Sequence, residues 1–366
     1  MAKIFYKVLS WGLGHATRSL PIIRKLVELK HDVTVSSSGR ALELLKLELG
    51  NSCTFMEIPD IFCSFLRDYH YLLLLPKAVI EIPRFFKLVQ REHELVENVL
   101  DELQFNLVLS DSCYGAYSHK IPCYFLSHHL KPFWFWKVQS LQQFNEKILS
   151  RLINRFDKIL IPDYPGSPLS GLLSTNFRYI DEKKVHYVGI LSDYKRRDVP
   201  KDIDYLILIS GHEPQRTSFQ NIIMKQLEYL WGKIVICLGK PEKLGKCFSQ
   251  NGKEICGFLT KQERDLLMNR SKFIISRPGY STLMDIIETR LKSGLFIPTP
   301  NQTEQEYLAE FHHRRGNFWA VKQKKLCLKE NIKEARKLQI FKGFQHFGTE
   351  HTVENILKIV FEEKSG

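Results

Sequence analysis

Short apolar runs rich in β-branched and aromatic residues alternate with amphipathic stretches along this chain. KIFYKVLS, DVTVSSS, CTFMEIP, FNLVLSD, PCYFLSH and DKILIPD, then KVHYVGIL, read as strands. Between them, ALELLKLEL and PRFFKLVQREHELVENVLDEL carry the three-to-four-residue apolar spacing of helices with one buried face. Such alternation predicts a parallel sheet with helices on both faces. SDYKRRDVPKDID breaks the pattern with charge and Pro200, and a linker is expected at 193–204. The alternation then restarts with YLILISG, FQNIIMKQLEYL, KIVICLG, KEICGFL, KFIISRPG and SGLFIPT. The expected fold is therefore α/β, with two doubly wound, Rossmann-like domains at 1–192 and 205–345. The amphipathic TVENILKIVFEEK, within 346–366, is expected to pack back on the first domain.

The chain has 366 residues, enough for about two separate cores. Its 44% hydrophobic and 12% aromatic content argues against disorder. No apolar run approaches the ~20 residues that span a bilayer. The nearest, YLLLLPKAVIEIP, is interrupted by Pro76, Lys77 and Glu81. MAKIFYKVLSWG reads as a first strand rather than a signal peptide, because Lys3 and Lys7 interrupt any apolar core. The expectation is a cytoplasmic protein. The eight cysteines (Cys53, Cys63, Cys113, Cys123, Cys237, Cys247, Cys256 and Cys327) form no C-x-x-C pair. They are expected to be reduced, mostly buried thiols rather than zinc ligands.

The net charge of +13 admits three partners: nucleic acid, an anionic membrane surface, or a phosphate-bearing ligand. Zinc-finger spacing and RNP-like aromatic patterns are absent, so no nucleic-acid partner is expected. FLRDYHYLLLLPK and LKPFWFWK mix aromatics with Lys and Arg. They suit either an apolar, basic surface or an ordinary core with a lysine rim.

Open parallel sheets bind ligands outside the carboxyl ends of their strands. The loops there are WGLGHATR, SDSCYG, SHHLKPFW, SGHEPQRTS and SRPGYST, all rich in Gly, Ser, His, Arg or Asp. This clustering points to an enzyme cleft between the domains. In SRPGYSTLMDIIE, Gly279 permits a tight turn and Ser281 and Thr282 open a helix. Free N–H groups and the helix dipole favour an anion such as phosphate at that end. Asp285, one turn on, can accept hydrogen bonds from ribose hydroxyls. The alternative is an N-cap at Ser281 and a solvated acid at Asp285. Downstream, FIPTPNQTEQEYLAEF packs Asn301, Gln302, Thr303, Glu304 and Gln305 together after Pro300, a density suited to sugar hydroxyls. In SGHEPQRTS, Gly211 allows close approach and Arg216 offers a planar fork to phosphate oxygens.

SRPGYSTLMD followed by IPTPNQTEQEYLA resembles the donor-binding half of GT-B nucleotide-sugar glycosyltransferases. The resemblance is to the family of the lipid-linked N-acetylglucosamine transferase of peptidoglycan synthesis (family 28-like). GLGHATR is similar to that family's Gly-rich loop with its histidine. The resemblance implies a UDP-linked sugar donor and a glycan or lipid-linked acceptor; the net charge and the basic aromatic stretches add an anionic membrane surface as a candidate further partner. It implies Asp285 near the donor ribose, with Glu288 as the alternative, and Gln305 and Glu306 near the donor sugar. Gln302 belongs to the same donor set. Gly279, Ser281 and Thr282 would lie at the diphosphate. No D-x-D stands at a strand end, and the family resembled needs no bound metal for its chemistry. No metal or cofactor is therefore expected.

In glycosyl transfer an acceptor hydroxyl must lose its proton as it attacks the anomeric carbon. Histidine exchanges a proton near neutral pH, which makes His15 the expected general base. Gly12 and Gly14 would let the backbone approach the ligands. The other reading of His15 is a loop-stabilising residue. Arg18 is expected either to hold an anionic group or to form a local ion pair. Asp111, His128 and His129, at other strand ends, are further acceptor-side candidates. Two rival functions remain at this point: a nucleotide-sugar epimerase or hydrolase on the same fold, and a donor-binding subunit that needs a partner.

Overall fold

The strand-like runs assemble into two sheets. The computed structural model describes residues 1–59, 74–131, 139–240, 245–344 and 347–361. FLRDYHYLLLLPK and LKPFWFWK lie largely outside these residues, as does Cys63.

The chain divides into two units, Met1–Asp193 with His346–Gly366 and Tyr194–Gln345. In the first unit the strands are β1 (Lys3–Val8), β2 (Asp32–Ser37), β3 (Thr54–Glu57), β4 (Leu107–Asp111), β5 (Cys123–Leu126), β6 (Lys158–Ile161) and β7 (Val185–Tyr187). They pair in the order β3-β2-β1-β4-β5-β6-β7, all parallel. Helices cover both faces, so the central strands are apolar almost continuously: Ile4, Phe5, Tyr6 and Val8 are buried, as are Leu107, Val108 and Leu109. Phe125 and Phe156 meet in the core with ring centroids 4.8 Å apart.

Helix α1 (Leu13–Glu28) leaves β1 for β2 on one side, while β4 lies on the other. The strand order therefore reverses between β1 and β4, and the loops that follow these two strands diverge. Helix α10 (Thr349–Phe361) belongs to this unit and buries Thr352, Val353, Ile356 and Val360. Tyr124 donates to the Val360 carbonyl at 3.1 Å. Gly189 has φ +102° and faces Thr352 so closely that a Cβ there would lie 2.4 Å from its Oγ1. Only glycine suits that contact.

The second unit holds β8 (Tyr205–Leu208), β9 (Ile234–Cys237), β10 (Cys247–Gln250), β11 (Lys253–Cys256), β12 (Ile274–Ser276), β13 (Gly294–Phe296) and β14 (Trp319–Ala320). Their order is β10-β11-β9-β8-β12-β13-β14, so the reversal falls between β8 and β12. Both units are thus doubly wound. The pairing is parallel apart from the β10–β11 hairpin, which the periodicity of the sequence did not indicate.

That hairpin corrects the expectation of wholly reduced cysteines. Its antiparallel register sets Cys247 directly opposite Cys256, with Cα atoms 4.1 Å apart, and the two form a disulfide. Cys113, Cys123 and Cys237 are buried free thiols, while Cys53 and Cys327 are half-buried. The charged segment after Asp193 is held to the second unit rather than hanging free. Arg197 pairs with buried Asp265 at 2.9 Å and Arg270 with Asp202 at 2.6 Å.

Candidate active site

The turn after β1 carries WGLGHATR onto α1. Gly12, at φ +96°, is the N-cap, in a conformation that side chains resist. Gly14 lies inside the first helical turn. Helical spacing then puts His15, Arg18 and Ser19 on the side of α1 that faces the end of β4. Asp111, the last residue of β4, receives all three.

His15 Nδ1 lies 2.8 Å from Asp111 Oδ1. Arg18 donates through Nε to Oδ2 at 2.8 Å and through Nη2 to Oδ1. Ser19 Oγ donates to Oδ2 at 2.9 Å. Each carboxylate oxygen thus accepts two hydrogen bonds in a fully buried site. Burial alone would raise the Asp111 pKa, but the charges of Arg18 and His15 and their hydrogen bonds outweigh it, holding the carboxyl well below its usual range.

Arg18 Nη2 also stands 3.0 Å from His15 Nδ1, and Nη1 lies 2.8 Å from His128 Nδ1. A guanidinium only donates. Its partner on His128 must therefore be an unprotonated Nδ1. His15 Nδ1 meets both a donor and a carboxylate, and the carboxylate at 2.8 Å requires a proton on Nδ1. In the neutral form of the ring Nε2 then carries the lone pair, and no described residue bonds it. His15 retains 19% of its side-chain exposure, whereas Asp111 has none. The arrangement is an imidazole oriented by a buried carboxylate, a geometry in which proton uptake at Nε2 would be stabilised.

The structure brings His15, Arg18, Asp111 and His128 together. Arg18 is buried at 2% exposure and forms the local ion pair with Asp111 that is one of its two expected roles. Asp111 is equally committed, its two oxygens taken up by His15, Arg18 and Ser19. His129 is half-buried, its N–H donating to Ser127 Oγ at 3.2 Å, and its ring centroid lies 6.2 Å from that of His128.

In the second unit the loops after β8 and β12 flank the reversal. Gly211 follows β8 with φ +114°, and a Cβ placed there would meet only Thr299 Oγ1, 3.9 Å away. Arg216, on α5 (Gln215–Met224), does not offer an open fork: it pairs with Glu213 at 2.7 Å and donates to the Gly239 carbonyl. After β12, Gly279 caps α7 (Tyr280–Glu288) without a side-chain hydrogen bond. The cap is therefore not Ser281, and the first N–H groups of the helix have no side-chain cap. Ser281, Thr282, Asp285 and Glu288 form the partly exposed stripe of α7, between buried Leu283, Met284, Ile286 and Ile287.

Gln302 is the N-cap of α8 (Thr303–Arg314). Gln305 Oε1 accepts from the Thr299 N–H at 2.9 Å, and Glu306 Oε1 from the Asn301 N–H at 3.1 Å. Both side chains shape the PTPNQ loop. Sequence reasoning missed Arg277. It belongs to SRPG, yet nothing in the pattern says that its side chain turns inward to 1% exposure.

Residues 2–129 match the family model of glycosyl transferase family 1. A protein of Methanosarcina acetivorans described as an uncharacterized glycosyltransferase is 23% identical over 336 residues, covering 86% of this chain and 84% of its own. Among solved structures, the glycotransferase of kitacinnamycin aligns with TM-score 0.64 at 12% identity, over 97% of this chain and 94% of its own. Arabidopsis thaliana UGT89C1, complexed with UDP, gives 0.62 at 12% over 98% and 99%. Acinetobacter baumannii MurG gives 0.55 at 13% over 97% and 99%. Two doubly wound units and these likenesses define the fold as GT-B. The chain is thus similar to glycosyltransferases, in its first unit by the family model and over most of its length by the Methanosarcina relative.

Proposed function

We propose that the chain transfers a sugar from a UDP-linked donor to a hydroxyl of a glycan or lipid-linked acceptor, with His15 as the general base. The observation that carries this reading is the His15–Asp111 pair at 2.8 Å, which occupies Nδ1 and leaves Nε2 as the edge that can take a proton. The acceptor oxygen forms a bond to the anomeric carbon as its proton passes to Nε2. The bond from that carbon to the diphosphate breaks, and the nucleoside diphosphate leaves with the electron pair.

The donor is assigned to the second unit. The uncapped N–H groups at the start of α7 suit the diphosphate, whose leaving needs positive charge rather than covalent chemistry. Asp285 or Glu288 serves the ribose, and Gln305 and Glu306 the sugar. The plant neighbour crystallised with UDP supports a uridine nucleotide. No described helix is long and apolar enough to cross a membrane. The charge of +13 favours an acceptor at an anionic surface, on the inner face of the cytoplasmic membrane, in cell-envelope polysaccharide synthesis.

The test is a melting-temperature screen of nucleotide sugars, followed by product analysis. A donor at about 100 times its dissociation constant adds ~2.7 kcal/mol. Sugar transfer to an acceptor supports the proposal. A changed sugar without acceptor means an epimerase, and binding without turnover over many acceptors means a subunit awaiting a partner.

A further inference from the structure

Arg277 sits between β12 and the N-cap of α7 and carries a positive charge at 1% exposure. Its contacts are all neutral. Nη1 donates to the carbonyls of Ile297 and Pro298 at 2.9 and 3.0 Å, and Nη2 to Gln323 Oε1 at 2.6 Å. The guanidinium lies 4.0 Å from the ring centroid of Phe219, and Nε has no hydrogen bond among the described residues. Gln323 in turn donates to Ser218 Oγ at 3.2 Å. Among the described residues no carboxylate pairs with Arg277. Burial pulls its pKa down to about 9, with no acid to offset it. Such a charge is costly to keep. A neutral side chain could cross-link the same loops without that cost.

We propose that Arg277 is a positioning residue for the donor diphosphate, supplying from beneath the loop the counter-charge of an anion bound at the start of α7. This rests on the donor reading above. The charge acts through a water-poor interior, where Coulomb interactions are stronger than in solvent. The same guanidinium fixes the carbonyls of the loop that leads into the PTPNQ segment. Ligand binding would complete an ion pair that the free protein leaves half-made.

The experiment is calorimetry of UDP and of uridine with wild type, Arg277→Gln, Arg277→Lys and Gln323→Leu, each checked by melting temperature. Arg277→Gln should weaken UDP about tenfold or more while uridine stays within about twofold. Arg277→Lys should recover most of the UDP affinity. Gln323→Leu breaks the cross-link but keeps the charge, so UDP should stay within about threefold. Should Arg277→Gln fail to fold, Arg277→Lys and Gln323→Leu still decide. Equal losses for UDP and uridine, UDP affinity unchanged in Arg277→Gln, or a tenfold UDP loss in Gln323→Leu would each overturn the inference. Wild type that binds no UDP overturns the donor reading itself.

Discussion

His15 Nδ1 and Asp111 Oδ1 stand 2.8 Å apart, joining the first turn of α1 to the last residue of β4. Strand β1, which leads into α1, and β4 are neighbours at the reversal of strand order. Their loops diverge there, so a ring anchored from below by a buried carboxylate keeps one edge toward open space. Arg18 makes the anchor electrically neutral, which is how a carboxylate with no exposure remains charged.

Asp111→Asn should show how much the base depends on its orienting partner. An amide can turn its N–H toward Nδ1 and so favour the wrong tautomer of His15. Turnover should fall within the range of about 10²–10⁴ that general base catalysis supplies. Arg18 would also be left buried without its counter-charge, at a cost of about 3–5 kcal/mol. Urea unfolding and steady-state rates measure the two effects separately. Activity within threefold of wild type would remove Asp111 from the mechanism.

The two buried carboxylates of the first unit should make opposite contributions to the pH dependence of stability. The folded Asp111 pKa is lowered, so its stabilisation is present above the unfolded carboxylate value of about 4 and is lost as pH falls below it. Asp163 is the reverse: burial pushes it up to about 6, although Ser170, Tyr164 and Leu169 donate hydrogen bonds to it. Its contribution is full below about 4 and is lost as pH rises through about 6. The stability difference between wild type and Asp163→Asn should therefore be larger at pH 4 than at pH 7, by up to about 3 kcal/mol. For Asp111→Asn the difference should be larger at pH 7 than at pH 3. Denaturant titrations across this range would contradict the account if both differences were flat.

Gln305 should separate recognition of the sugar from recognition of the nucleotide. Its Oε1 holds the Thr299 N–H. Gln305→Glu keeps that acceptor and removes the two amide donors. Affinity for the nucleotide sugar should fall by about 1.5–3 kcal/mol while affinity for UDP stays level. On α7, Asp285→Ala and Glu288→Ala should divide, with the residue that holds the ribose losing a similar amount for UDP and the other losing little. Unchanged affinities in all three by calorimetry would move the donor away from α7 and α8.

Much of the fold was legible because a parallel strand covered on both faces is apolar almost throughout, as KIFYKVLS is, and its helices are amphipathic. Strand β10 was not, since Cys247–Gln250 is exposed along its whole length and has no apolar face to show. The disulfide was hidden for the same reason: register, not spacing, brings Cys247 to Cys256. At the site, chain chemistry at strand ends pointed to His15 and Asp111, but not to their pairing. Arg216 read as an anion ligand, and Arg18 as either that or a local ion pair, because a basic residue in a Gly-rich loop has no visible partner in sequence. Their partners, Asp111 and Glu213 with the Gly239 carbonyl, emerge only from the folded backbone. Arg277 was passed over because burial of a charged side chain runs against composition and has no periodic signal.

The most direct measurement is the turnover of His15→Ala and His15→Gln beside their donor affinity, with the acceptor found by product analysis. Proton transfer belongs to the transition state, so the rate should fall by roughly 10²–10⁴ while the donor dissociation constant stays within about twofold. Glutamine should not restore the rate, because an amide can orient a hydroxyl but cannot take its proton. A stable His15→Ala protein that turns over within about threefold of wild type, against the ~10²-fold minimum loss, would contradict the account.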